Sequence, residues 1–421
     1  MKKVVALLTL STMLVVAGCG SSGKEEANGT SGSGGKVEIS MSIWGEKEIW
    51  EKALAEFEST HPNIKTKLVY IPDAYEDKLM TMIAGGTAPD MMTLYETTTP
   101  DLAKQGVIQD LTPFIEKDTS FDLNDFYDNT LELAKLDNKL YGLNYTLAPE
   151  VMFYNKTLFD KAGVKYPDGT WTWDDYVAAA EKLTVKDGNK VTQYGTDGMT
   201  SWWLPTEAAI RQNGGDIFKD GKANFDSPEV INAIQFWADV TLKKGIAPTI
   251  AEMSGGGDLF PSGMVAMTRN GIWLKDTYKD IKNFEWDIAP LPKNKDANTI
   301  LHSSYFTIAK KSKHPQETWE LIKWLSGPEI QKGVSERLGY VPTRKSVLEQ
   351  KPYDSGQPAG TAFVGDVVNY GRIGPYAPGV KQITDEFEKQ LEQIYTGKLT
   401  AEESMKAFQT KAQSIIDLNN K

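Results

Sequence analysis

Beyond residue 36 the chain falls into alternating and helical runs. Val37, Ile39, Met41 and Ile43 alternate with polar neighbours, the period of a strand, and Trp44-Gly45 ends the run. Trp50, Ala53, Leu54 and Phe57 then recur at the spacing of one helix face, and His61-Pro62 stops that helix. Ile64, Thr66, Leu68 and Tyr70 alternate again. Tyr75, Leu79, Met82 and Ile83 make a second helical stripe closed by Gly85-Gly86, and Asp90 to Tyr95 reads as a third strand. Strand, helix and strand at this spacing form a βαβ unit. The first hundred residues therefore predict an α/β domain with a partly parallel sheet.

Later segments are richer in helix. Trp173-Asp174-Asp175-Tyr176 opens one helix and Trp319 to Leu325 lies in another. Val380, Ile383, Phe387 and Ile394 share a face, as do Ala401, Met405, Phe408, Ala412 and Ile415 near the end. Strands are expected at Tyr141 to Tyr145, Val151 to Tyr154, Val265 to Thr268 and Phe306 to Ala309. No internal repeat is found.

The N-terminus has a different pattern. Lys2-Lys3 precede the apolar stretch Val4 to Val16, and the small residues Ala17-Gly18 follow, the order of parts in a secretory signal peptide. Cys19 stands at the expected cut. It is the only cysteine, so no intramolecular disulfide and no cysteine zinc site can form. Gly20 to Gly35 is Gly/Ser-rich with nothing to pack, a flexible tether reaching roughly 20 Å. The 13 residues from Val4 to Val16 are too few to span a bilayer as a helix.

Charge and composition narrow the function. The 421 residues carry a formal charge of −11, and removing residues 1–18 takes two lysines and no acid, leaving −13. With a pI near 5.0 and no basic tract, a nucleic-acid partner is not expected. His61, His302 and His314 lack ligand spacing, so neither a metal nor a cofactor is expected. A nucleophile elbow, a Walker A loop and a dinucleotide fingerprint are absent from the folded body; Gly255-Gly256-Gly257 follows a loop and reads as a hinge or turn. A carboxylate pair for glycoside hydrolysis stays open among so many acids. Aromatics are plentiful instead, with 11 Trp and 17 Tyr. Several follow strands or adjoin glycines: Trp44-Gly45, Tyr95, Gly271-Ile272-Trp273, Tyr305, Tyr340 and Tyr376. Ligands of open α/β sheets lie beyond the carboxyl ends of strands, where flat aromatic faces suit sugar rings. Trp50, Trp237, Trp319 and Trp324 sit in helical patterns and are assigned to the core, whereas Trp202-Trp203 cannot both point inward from one loop.

Four segments resemble a known family: residues 89–115, beginning Pro89-Asp90-Met91-Met92; residues 139–184, with Phe153-Tyr154-Asn155-Lys156 and later Thr172-Trp173-Asp174-Asp175-Tyr176; residues 260–274; and residues 306–347. In order and spacing they are similar to the bacterial extracellular solute-binding proteins of sugar ABC importers, the maltose-binding-protein-like group. Val16-Ala17-Gly18-Cys19 likewise resembles the bacterial lipoprotein box, which implies a lipidated Cys19 as mature N-terminus and a membrane-anchored, extracytoplasmic protein.

The resemblance implies two α/β lobes joined by crossing hinge strands, with the ligand cleft between them. Lobe one would take 37–146 and 304–348, and lobe two 147–303 and 349–421. It implies a monomeric, non-enzymatic receptor that hands a carbohydrate to an ABC permease. Carried over by position, the ligand-binding candidates are Trp44 and Glu46 after the first strand, Tyr95 and Glu96 after the third, and Asn144 and Tyr145 on the first crossing. Trp202, Trp203 and Trp273 would come from lobe two, Ser304 and Tyr305 from the return crossing, and Arg344 from beyond it, with a surface salt bridge as the alternative role of Arg344. Pro89-Asp90 and Tyr154-Asn155-Lys156 are expected to be structural. Where the family often has Gly-x-Pro, this chain has Gly142-Leu143-Asn144, and Asn138 replaces a usual Gly in the turn Asp137-Asn138-Lys139. Two other readings stand beside this one: a surface glycan hydrolase or lyase, and the same fold binding another solute such as glycerol phosphate or a polyamine derivative. For an anion only Arg269 and Arg344 offer candidate cleft cations.

Overall fold

The computed structural model describes residues 36–254, 258–354 and 358–420. The expected signal peptide, Cys19, the tether as far as Gly35 and the Gly255-Gly256-Gly257 turn lie outside the described residues.

β1 (Val37–Ile43), α1 (Lys47–Thr60), β2 (Ile64–Tyr70), α2 (Tyr75–Ala84) and β3 (Met91–Tyr95) form where the periodicity puts them. α1 buries Trp50, Ala53, Leu54 and Phe57, the stripe read from the sequence. β1 pairs in parallel with β2 on one side and β3 on the other, so the carboxyl ends of β1 and β3 lie side by side. The hairpin at Asp137-Asn138 forms with both residues left-handed, at φ 51° and 60°, a conformation that Asn and Asp tolerate.

Two antiparallel strands complete the frame. The strand Ile300–Ile308 pairs with β3 and with the 13-residue strand Leu143–Asn155. The long strand then leaves its partner: pairing with Ile300–Ile308 ends at Pro149, and from Glu150 onward it pairs with Met267–Gly271 and, from Met152, with Trp286–Ala289. Pro149 has no N–H to give and stands where the partner changes. The expectation of separate strands at Tyr141–Tyr145 and Val151–Tyr154 is thereby corrected. Local alternation breaks at Ala148-Pro149-Glu150, but ladder partners on both halves hold the chain extended. Likewise the strand expected at Val265–Thr268 runs Met267–Gly271, and Val265 makes only an isolated bridge to Tyr194.

Apolar side chains gather into two large cores and a small one. The first holds Ile39, Met41, Trp50, Phe57, Trp319 and Tyr305. The second holds Trp173, Tyr176, Trp237, Phe225, Phe387 and Phe408. The third, on the other face of β3, holds Tyr75, Leu79, Met92 and Leu94. Phe153, Phe260, Tyr278 and Ile288 cluster with the first core although they fall within 147–303.

The segments that mark the family do local structural work. Thr172 and Asp175 form a reciprocal capping box on the helix Trp173–Leu183, and Asn155 caps the helix Lys156–Ala162 by accepting from Leu158 N–H at 3.0 Å. Asp90 accepts from the N–H and hydroxyl of Ser40 and from the Ser312 hydroxyl, tying β1 to the turn after Ile308. Among the described residues no helix is long and apolar enough to cross a membrane.

Candidate functional site

A cavity of about 520 Å³ lies where the two large cores approach, over the crossing strands. Its first wall follows from the parallel pairing. β1 ends at Ile43 and β3 at Tyr95, so Trp44 and Tyr95 emerge together with ring centroids 4.3 Å apart. Tyr75, at the start of α2, meets Trp44 edge-on at 4.9 Å. Glu46 heads α1 with φ 46°, a left-handed backbone that a non-glycine residue adopts at a cost of about 1–3 kcal/mol. Its carboxylate accepts from the Tyr340 hydroxyl at 3.1 Å.

The opposite wall comes from two loops. Trp202 precedes the helix Trp203–Gln212. Its ring stacks on His302 at 5.5 Å and meets Trp273 edge-on at 6.5 Å. Trp273 lies just past the strand Met267–Gly271, folded back over it: a Cβ on Gly271 would sit 2.0 Å from the indole ring. Trp202 rests on the second core and Trp273 on the first. Trp203, next to Trp202, belongs to the second core.

The crossing strands supply the floor, with Tyr145 stacked on Phe306 at 4.1 Å, Ala148, His302 and Ser304. Helix Val380–Tyr395 closes one side with Lys381, Asp385 and Glu388. Lys381 pairs with Asp385 at 2.6 Å and approaches Glu76 at 3.9 Å. Glu388 accepts from Trp203 N–H at 3.4 Å. At the base Glu96 is 3% exposed and exchanges two hydrogen bonds with the Ser303 backbone.

Burial governs the acids. It pushes Glu96 up to about 7, against the pull of His302. It also raises Glu46 against the Tyr340 hydroxyl, and Glu76 against its bond from Thr98 and the charge of Lys381. Glu96 therefore holds its proton more tightly folded than unfolded. Between the unfolded value of 4.5 and about 7, stability falls as pH rises. Carboxyls held low by hydrogen bonds, such as Asp118 and Asp125, ionise below this window in both states. Ligand-free protein is expected to be more stable near pH 5.5 than near pH 7.5, with Glu96 contributing on the order of 1–2 kcal/mol. Calorimetric scans at both pH values should find that difference reduced in Glu96→Gln; an unchanged difference would exclude Glu96 as its source.

Of the ligand-binding candidates, Trp44, Glu46, Tyr95, Glu96, Tyr145, Trp202, Trp203, Trp273 and Ser304 line the cavity. Three candidates lie outside its lining. Tyr305 points to the opposite face from Ser304, as neighbours on a strand do; it is fully buried and donates its hydroxyl to Thr130 O at 2.9 Å. Asn144 is buried and donates its amide to the Ser303 hydroxyl, cross-linking the two crossing strands where the family often has proline. Arg344 pairs with Asp125 at 3.0 Å, donates to Ser326 O at 2.7 Å and lies over Phe126, so its salt bridge is buried. Arg269 is likewise spent inside, 3.9 Å over Trp237 and 3.7 Å from Asp197. Neither arginine lines the cavity.

Sequence reasoning missed His302, Glu76, Lys381, Asp385 and Glu388 as lining residues, and read Tyr340 only as one aromatic among many. His302 was discoverable, since by alternation His302 and Ser304 are the polar positions on a face shared with Ile300, Phe306 and Ile308. The residues of Val380–Tyr395 gave no local signal, because their polar face reads as any solvent face.

Residues 44–332 match the family model described as bacterial extracellular solute-binding protein. The chain is 28% identical over 368 residues to the arabinooligosaccharide-binding protein of Bacillus subtilis, covering 82% of this chain and 81% of that one. It is 25% identical over 419 residues to the galactooligosaccharide-binding protein of the same organism, covering 95% and 94%. Among solved structures, an ABC substrate-binding protein from Listeria monocytogenes in complex with cycloalternan superposes with a TM-score of 0.85 at 30% identity, over 91% of this chain and 99% of that chain.

Proposed function

This chain belongs to the bacterial extracellular solute-binding proteins, and from that premise we propose that it binds an oligosaccharide in the aromatic-walled cavity and delivers it to an ABC importer permease. The observation that carries the reading is the pairing of indole and phenol faces with carboxylates at the carboxyl ends of β1 and β3. Rings offer their apolar C–H faces to the aromatics and their hydroxyl rims to the acids. The names of the relatives, which are oligosaccharide-binding proteins, support the same class. Lobes of 37–146 with 304–348, and 147–303 with 349–421, close on the ligand about the crossing strands, which join the two sides of the cavity. The receptor acts as a monomer, holds its ligand without cleaving it, and is anchored outside the cytoplasm through a lipid on Cys19.

Thermal melts against a panel of mono- and oligosaccharides test this. A ligand at 100 times its dissociation constant should add about 2.7 kcal/mol of stability, and the same sugar should be recovered intact after incubation. Reducing ends that grow with protein and time would move the chain to the hydrolase class, and a panel with no binder would overturn the carbohydrate reading. Cys19→Ala should release protein from the membrane fraction with ligand binding retained; unchanged membrane fractionation would sink the anchor.

A further inference from the structure

We propose that the cleft prefers sugars bearing a protonated amine, amino-sugar oligosaccharides, over neutral sugars of the same linkage. This rests on the oligosaccharide reading above and names its ligand class. Among the described residues the cavity is lined by five carboxyl groups, Glu46, Glu76, Glu96, Asp385 and Glu388, and by one lysine, Lys381. Lys381 is already committed to Asp385 and Glu76. His302, the other basic group, has Nε2 3.5 Å from Glu150 Oε1 and also acts on Glu96.

Glu46, Glu96 and Glu388 thus form no ion pair among the described residues. Each uses one oxygen, toward the Tyr340 hydroxyl, the Ser303 N–H and the Trp203 N–H respectively. All three side chains line the cavity. Glu96, 3% exposed, lies at the base of the cavity.

The walls favour the same charge. Faces of Trp and Tyr carry negative potential and attract an ammonium group, and Trp44, Tyr95, Trp202 and Trp273 are among the lining residues. A neutral sugar would answer these carboxyls only with hydroxyls, and an anion would be repelled. The acids do not converge: among the described residues no group of three or more His, Asp or Glu could hold a metal ion. The charge they await is therefore spread along a larger molecule rather than concentrated in one ion, and the aromatic walls suit that molecule to being made of rings.

Titration calorimetry on the full mature chain at neutral pH and low salt tests the proposal. The probes are pairs matched in linkage and length, glucosamine with glucose oligomers and galactosamine with galactose oligomers, with spermidine as a ringless amine and an arabinose oligomer as a further neutral sugar. The amine member of at least one pair should bind about tenfold or more tighter than its neutral partner. That ratio should shrink as salt screens the charges. It should also fall in Glu96→Gln and in Glu388→Gln, the latter at the cavity edge, where folding is less at stake. Neutral members binding as tightly as their amine partners, or the arabinose oligomer alone binding, would overturn the amine preference and leave the oligosaccharide reading intact. Spermidine binding as tightly as the best amino sugar would overturn the requirement for rings. No binding by any sugar would overturn both readings.

Discussion

Trp273→Ala is expected to weaken oligosaccharide binding at least tenfold while the ligand-free melting temperature stays close to that of the parent. The indole is only partly buried and lies over the cavity, edge-on to His302 at 4.9 Å. Losing an aromatic anchor commonly costs about 2 kcal/mol or more of binding, roughly thirtyfold. Trp202→Ala should behave alike, because its ring is also partly buried and its main partners, His302 and Trp273, are themselves cavity residues. Trp203 differs from its neighbour. It is 6% exposed and built into the second core, so Trp203→Ala should lower both affinity and melting temperature. Gly271→Ala provides a second probe that deletes no aromatic side chain. Its new Cβ collides with the Trp273 ring and must swing the indole away, so affinity should fall as it does in Trp273→Ala. Calorimetric titration of the four variants decides the matter. Parental affinity in Trp202→Ala, Trp273→Ala and Gly271→Ala together would remove this wall from the site.

Trp319→Ala should do the reverse, destabilising the fold by about 3–5 kcal/mol and leaving affinity nearly intact in the protein that remains folded. Trp319 is fully buried in the first core, edge-on to Phe121 at 5.1 Å, and donates its indole N–H to Asp118 at 3.2 Å. Truncation would empty a large volume among rigid neighbours and remove one of the bonds holding Asp118, which also pairs with Lys323 at 2.8 Å. Denaturant titration followed by near-ultraviolet circular dichroism measures the loss. A midpoint within error of the parent would mean that the helix Pro315–Leu325 is not anchored by this side chain.

Local periodicity was enough for most elements. The first five stand at their expected positions, because a strand with one buried face and a helix with one buried stripe each write their period into the sequence. Trp44 and Tyr95 were legible as aromatics at the ends of predicted strands and Glu96 through the family resemblance, whereas the neighbouring of β1 and β3 that brings them together came from the sheet order. The long strand was not legible. Its middle, Thr146 to Glu150, lacks alternation, and what holds it extended is pairing with strands more than a hundred residues away.

Composition and order of residues by themselves determined the class of element, the core faces, the lack of a second cysteine and the wealth of aromatics that pointed to a sugar. Tertiary structure alone decided which of those aromatics share a cavity. It turned Tyr305 inward and Ser304 toward the cleft, since one residue of register reverses a strand's faces. It consumed Arg344 and Arg269 in internal pairs, leaving the cleft acidic. It also brought Lys381, Asp385 and Glu388 to a wall formed by residues from the first hundred positions of the chain. A charged residue on a helix reads the same whether it faces water or a ligand, and only the approach of distant chain settles which.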